Sequence, residues 1–283
     1  MLWHCRGHVF DLAARTRVIG ILNLTPDSFS DGARYLDRGA ALDRARQLID
    51  EGADLIDVGA ASTRPGAPPV PAAEQIRRLT PVLKPLLRAG NVPISVDTAS
   101  AEVAAFALAA GADAINDVSA LGDPGMAQMV AEAGAGVVLM HMRGTPATMQ
   151  HEPHYEDATG EIAAFLRTGL ARARAAGIAE ACVALDPGIG FGKTARHNFE
   201  LLARLDEIVS IGRPVLVGVS RKSFLAAPEP LAVDQRLEAG LAATAVAVFQ
   251  GARLVRTHDV AATVRAVRIA DALRAARPGA PSD

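Results

Sequence analysis

The 283-residue sequence predicts an α/β protein built as one (β/α)8 TIM barrel over residues 1–283. Three observations carry that prediction. Eight short runs rich in Val, Ile and Leu alternate with longer amphipathic or Ala-rich stretches, and such alternation in roughly 250 residues favours a closed barrel. The runs are apolar without strict alternation, as strands buried on both faces are. Every run ends on polar residues, whereas an open doubly wound sheet needs them only near one switch point, and no glycine fingerprint follows the first run.

The elements follow in order. Residues 1–16 form an N-terminal extension before the first barrel strand, VIGILN (18–23). LIDVG (55–59), ISVDT (94–98), AINDVS (114–119) and VVLMHM (137–142) supply the next four strands. CVALDP (182–187), VLVGVS (215–220) and ARLVRTHD (252–259) complete the set. Helical spacing of apolar residues predicts helices over 39–51, 72–89, 99–110, 158–176, 196–209, 236–249 and 259–276. Glycines in EGADLID, AGADAIN and QGARLVR stand where helices end before the next strand. Residues 277–283 are expected to be a disordered tail. The loops 25–35 and 61–71, rich in Gly, Pro, Ser and Asp, are expected to be mobile covers over the site.

Composition excludes several classes. The net charge of −2 with interspersed signs argues against a nucleic-acid partner. No run approaches the ~20 apolar residues of a membrane span, and the first residues lack a signal-peptide core. Cys5 and Cys182 match no metal spacing, which points to a reducing cytoplasm. Lysine is confined to Lys84, Lys193 and Lys222, so a lysine here can mark chemistry that arginine does not do.

ALDPGIGFGKTARHN (184–198) imitates a phosphate loop without being one. Five positions before Gly192 stands Pro187, which has no N–H to offer a phosphate. The dinucleotide pattern fails as well, because Gly188, Gly190 and Gly192 alternate.

In a barrel the strand ends converge on one face, where the active site is built. They carry Asn23, Ser62-Thr63-Arg64, Asp97, Asn116-Asp117, His141, Asp186, Ser220-Arg221-Lys222 and Arg256-Thr257-His258. Burying so many polar groups together without a ligand would leave many unpaired. Arg64, Arg256 and His258 suit a multiply charged anion such as pyrophosphate. Asn23, with Asp27 and Asp31 nearby, offers oxygen ligands for Mg²⁺ shared with phosphate. Asp97, Asn116 and Asp186 form a floor for a flat, donor-rich heterocycle. Asp97 can alternatively cap the helix near Ala99, and Asp186 can serve the turn before Pro187-Gly188. No Ser/His/Asp or Cys/His set is apparent.

The motifs GILNLTPDSFSDG, DVGAASTRPGA, SVDT, AINDVS, MHMRGTPATMQ, LDPGIGFGKT, GVSRKSF and RTHDV run through nearly the whole chain. In this order they resemble those of the dihydropteroate synthase family. The resemblance implies a cytoplasmic, homodimeric transferase. It would condense 6-hydroxymethyl-7,8-dihydropterin diphosphate with 4-aminobenzoate, by an SN1-like displacement, in folate biosynthesis. It implies that Asp97, Asn116, Met140, Asp186 and Lys222 hold the pterin. Thr63, Pro65, Phe191, Lys222 and Ser223 would line the aminobenzoate pocket, where sulfonamides compete. Asn23, Arg64, Arg256 and His258 would hold the diphosphate, with Asn23 on Mg²⁺. Asp97, Lys222, Arg64 and Asp31 form the catalytic set. The Ala-rich helix 236–249, apolar on more faces than a barrel flank needs, agrees with a dimer.

The chain departs from the family pattern at Ala60-Ala61, where Gly-Glu is usual, and at Ala33. Two readings therefore stand beside the synthase. One is a pterin-binding paralogue with weak or altered activity. The other is a methyltetrahydrofolate-binding methyltransferase, which would not need the pyrophosphate-holding cations.

Overall fold

The computed structural model describes residues 1–25 and 38–277. Eight parallel strands form the barrel: β3 (Arg17–Asn23), β4 (Leu55–Gly59), β5 (Ile94–Asp97), β6 (Ala114–Asp117), β7 (Gly136–Met140), β8 (Val183–Asp186), β9 (Leu216–Val217) and β10 (Leu254–Thr257). Their order is β8-β7-β6-β5-β4-β3-β10-β9, and a parallel bridge between Leu185 and Val215 joins the two ends of that series into a ring. All eight predicted runs hold strands; the first two keep their ends, and the other six are trimmed at their polar ends where the chain leaves the sheet.

Around them lie α1 (Arg38–Asp50), α2 (Ala72–Ala89), α3 (Ala101–Ala110), α4 (Met126–Ala133), α5 (Ala158–Ala175), α6 (Ala195–Ala203), α7 (Leu205–Val209), α8 (Leu237–Phe249) and α9 (Val260–Ala275). Two differences from the sequence reading stand out. The short α4 lies where no helix was expected, anchored by the buried Met126 and Val130. The stretch 196–209 is two helices, because Arg204 leaves helical geometry at φ −109° and ψ 27°. There its guanidinium pairs with Glu200, Glu207 and Asp157.

The N-terminal extension is part of the barrel. Strands β1 (Leu2–Cys5) and β2 (His8–Asp11) form an antiparallel hairpin across the end of the barrel at which the strands begin. Trp3, Cys5, Phe10 and Leu12 pack there on the inward residues Ile19, Leu55, Ala114, Val138, Ala184, Leu216 and Leu254. Trp3 Nε1 donates to the Cys182 carbonyl at 3.0 Å. The fit is close at Gly136, where a Cβ would lie 2.6 Å from Cys5 Sγ. Of the termini, the predicted tail lies outside the described residues except for Arg277.

Strand geometry sets the site. Side chains alternate between faces, so residues two and four beyond the apolar bottom layer point inward again. Leu55 is followed inward by Asp57 and Gly59, Ala114 by Asn116, Val138 by Met140, Ala184 by Asp186, and Leu254 by Arg256 and His258. Register aligns Asn23, Gly59, Asp97 and Asn116 across four neighbouring strands.

Candidate active site

Above the apolar layer the barrel is lined by charge. Arg256 is central: its Nε donates to Asp57 Oδ2 at 2.6 Å and its Nη2 to Asp97 Oδ2 at 2.9 Å. Burial raises the Asp97 carboxyl to about 7, opposed by the Arg256 cation and reinforced by Asp57, Asp117 and Asp186. The cap role considered for Asp97 falls to Ser100, whose side chain accepts from Val103 N at the start of α3.

Asp57 is a site residue that the strand-end reading passed over. It is 1% exposed and accepts from Ser95 Oγ, from Asn116 Nδ2 at 3.1 Å and from Arg256. A carboxylate inside the apolar run LIDVG, two residues before an inward glycine, was the available signal. By holding Nδ2, Asp57 fixes the Asn116 amide. Asn116 Oδ1 is buried and has no hydrogen-bond partner. A buried orphan acceptor costs about 1–3 kcal/mol, so it points to a ligand that donates.

Asp186 takes the turn role considered for it: its Oδ1 accepts from Gly188 N at 2.7 Å. Burial raises its carboxyl above the usual range. Met140, 3% exposed, belongs to the neighbouring strand in register with Asp186. Lys222 donates to the Ile189 carbonyl, and its ammonium lies 4.3 Å from the centre of the Phe191 ring. Burial lowers Lys222 to about 8, against the pull of Asp186.

At the anionic side, Asn23 Nδ2 lies 3.5 Å from His258 Nε2, and Ser220 Oγ lies 3.1 Å from His258 Nδ1. Burial, with Arg256 beside it, lowers His258 to about 3, so the ring is neutral near pH 7. Thr63, Arg64 and Pro65 sit on the loop after β4, with Arg64 and Pro65 exposed, and that loop touches the loop after β7 through Gly66 N and the Pro146 carbonyl at 2.9 Å. Ser223 is exposed beside Lys222. Asp27 and Asp31 lie outside the described residues.

Two strand-end residues are structural. Asp117 has outward parity, and its carboxylate accepts from Ser119 N, Ser119 Oγ and Leu121 N. It holds a loop in which Ala120 and Leu121 have φ of 51° and 65°. His141 also points outward, edge-on to Phe165 with ring centres 4.8 Å apart.

Fold and site together define a barrel enzyme with buried carboxylate and amide acceptors on its floor and cationic side chains toward its rim. The family model described as "Pterin binding enzyme" matches residues 19–258. Dihydropteroate synthase from Escherichia coli (strain K12) is 43% identical over 272 residues, 96% of each chain. The solved structure of Xanthomonas albilineans dihydropteroate synthase with 4-aminobenzoic acid is similar at a TM-score of 0.90 and 44% identity, covering 98% of this chain and 99% of that one. That of Yersinia pestis dihydropteroate synthase with a sulfonamide drug complex is similar at 0.91 and 43%, covering 98% and 100%. The chain belongs to the dihydropteroate synthase family.

Proposed function

We propose that the chain is a transferase that joins 6-hydroxymethyl-7,8-dihydropterin diphosphate to 4-aminobenzoate, giving 7,8-dihydropteroate and pyrophosphate. The observation that carries this reading is the orphaned Asn116 Oδ1 between two buried carboxylates, Asp97 and Asp186. Three acceptors on inward positions of β5, β6 and β8 match the N–H-rich edge of a pterin.

The aniline nitrogen is a weak nucleophile, so catalysis has to favour departure of the leaving group. The C–O bond at the exocyclic methylene breaks with its electron pair going to pyrophosphate. The methylene cation is delocalised into the pterin ring beside Asp97, Asp186 and Asp57. The aminobenzoate nitrogen then forms the C–N bond and releases its proton to solvent. Arg256 has a second task, because its guanidinium neutralises Asp97. A pterin bonded to Asp97 replaces that contact and frees one edge of the guanidinium for the diphosphate. Arg64 completes the anion site, with the neutral His258 ring beside it.

Asn23 suits Mg²⁺ because it offers an amide oxygen beside the diphosphate position. Among the described residues no group of three His, Cys, Asp or Glu side chains is placed to hold a metal. The other ligands would then be substrate oxygens, with Asp31 a further candidate. Bound there, Mg²⁺ supplies charge neutralisation to the leaving group.

Thr63, Pro65, Phe191 and Ser223 are proposed for the aminobenzoate pocket, which the Xanthomonas and Yersinia ligands support by similarity. A homodimer through α8 and α9 is supported by exposed Val246, Ile269 and Leu273. No helix among the described residues is long and apolar enough to cross a membrane, and both cysteines are free and buried, which suits a cytoplasmic setting.

The deciding assay measures pyrophosphate release with both substrates. Release that depends on 4-aminobenzoate is the expected result. Intact pterin binding without turnover would leave only the paralogue reading.

A further inference from the structure

Lys193 is 3% exposed, yet it carries an amine. Its Nζ donates to the Gly188 carbonyl at 2.8 Å and to the Phe191 carbonyl at 2.9 Å, and it lies 3.0 Å from His141 Nδ1. These three partners converge on one atom. Two belong to the same loop, and the third is fixed at the end of β7. A compact amine on a flexible stem can meet three such partners, whereas a planar guanidinium cannot.

The loop it closes is the one that carries substrate contacts. Asp186 precedes it, Ile189 accepts from Lys222, and the Phe191 ring faces the Lys222 ammonium. Phe191 is therefore held at two points, its carbonyl by Lys193 and its ring by Lys222. Other groups brace the loop from outside: Asn198 Oδ1 accepts from Gly190 N at 2.7 Å, and Tyr155 donates to the Gly192 carbonyl at 2.8 Å. Of these braces only Lys193 grips Gly188 and Phe191 together.

We propose that Lys193 is a positioning residue. Its amine, anchored on His141, fixes Phe191 against Lys222 and so sets the aminobenzoate subsite without touching either substrate. This rests on the synthase reading. Burial also drives the Lys193 amine well below its ordinary range, and His141 falls to about 3, chiefly through burial and then through the Lys193 charge. Lys193 Nζ donates to the two carbonyls and to His141 Nδ1, which the neutral ring presents as an acceptor.

The test begins with wild-type turnover, whose absence would strike the synthase reading itself. Given turnover, Lys193→Met keeps the stem and removes all three bonds. Its KM for 4-aminobenzoate is expected to rise about tenfold or more, as for a lost buried hydrogen-bond set. Calorimetric affinity for the pterin diphosphate should change less than about threefold. An unchanged aminobenzoate KM in folded Lys193→Met overturns the proposal, as does an equal loss for both substrates. If that variant does not fold, the His141 pair decides. His141→Asn places an amide oxygen near the lost Nδ1 and should keep the aminobenzoate KM near wild type, whereas His141→Leu should raise it severalfold. Equal KM values for the two His141 variants also overturn the proposal.

Discussion

Arg256 between Asp57 and Asp97 shows how one residue holds the floor of the site together. Three buried carboxylates surround the barrel axis, and a single guanidinium holds two of them. Because Asp97 titrates near 7 and Lys222 near 8, the free site has its productive charges only in a narrow window. Below about 7 Asp97 takes up a proton and loses the charge that strengthens its bond to the pterin. Above about 8 Lys222 loses its proton and its charge. The kcat/KM for the pterin diphosphate, which reports the free enzyme, should therefore follow a bell with limbs near these values. Asp97→Asn should remove the acid limb, beyond whatever the substrate's own phosphate contributes. An acid limb that persists unchanged in Asp97→Asn would assign it elsewhere. Asp97, Asn116, Asp186 and Arg256 were legible in the sequence because they end strands, and strand ends converge. Asp57 was not, because it sits one inward step below the rim, where a strand is read as apolar. Asp117 and His141 were over-read for the complementary reason: they are strand-end residues of the wrong parity.

At the scale of the element, the loop between β8 and α6 explains why its glycines alternate. Gly188, Gly190 and Gly192 have φ of 68°, 81° and 61°. What each would meet differs. A Cβ at Gly188 would lie 1.9 Å from the His141 carbonyl oxygen, and one at Gly192 2.6 Å from that of Arg143. At Gly190 it would lie 2.8 Å from Lys222 Cδ, part of a flexible stem. Backbone cannot yield as a side chain can. Gly188→Ala and Gly192→Ala should therefore lose about 3 kcal/mol or more of stability in urea unfolding. Gly190→Ala should lose about 1–2 kcal/mol, the cost of the left-handed backbone alone. Its larger effect should be on turnover, because Lys222 is displaced. Equal destabilisation by all three would mean that backbone strain, and not the close approaches, sets the cost. The sequence excluded a phosphate loop here from spacing alone. It could not show that Lys193 folds back on its own loop, since that depends on three-dimensional closure.

At the scale of the molecule, the repeating pattern of strand and helix was legible because each strand is buried on both faces, and that burial leaves an apolar run. The hairpin at the base was not, because Trp3, Phe10 and Leu12 are scattered among polar residues and gain meaning only when the barrel offers a cavity to fill. The flank opposite in character is the outer face of α8 and α9, which nothing among the described residues covers. Val246 is 49% exposed, Ile269 65% and Leu273 58%. Ile269, Ala272, Leu273 and Ala276 recur at helical spacing and so form one stripe, all exposed. A leucine-sized side chain contributes about 1.5–3 kcal/mol when buried, and a two-fold axis counts each residue twice. Light scattering at micromolar concentration should give twice the 29.4 kDa chain mass. Ile269→Glu combined with Leu273→Glu should halve that mass while leaving the far-UV spectrum unchanged, because both side chains already face solvent in the single chain. A wild-type protein that runs as one chain would refute the dimer. A dimer that survives both substitutions would place the interface on another face.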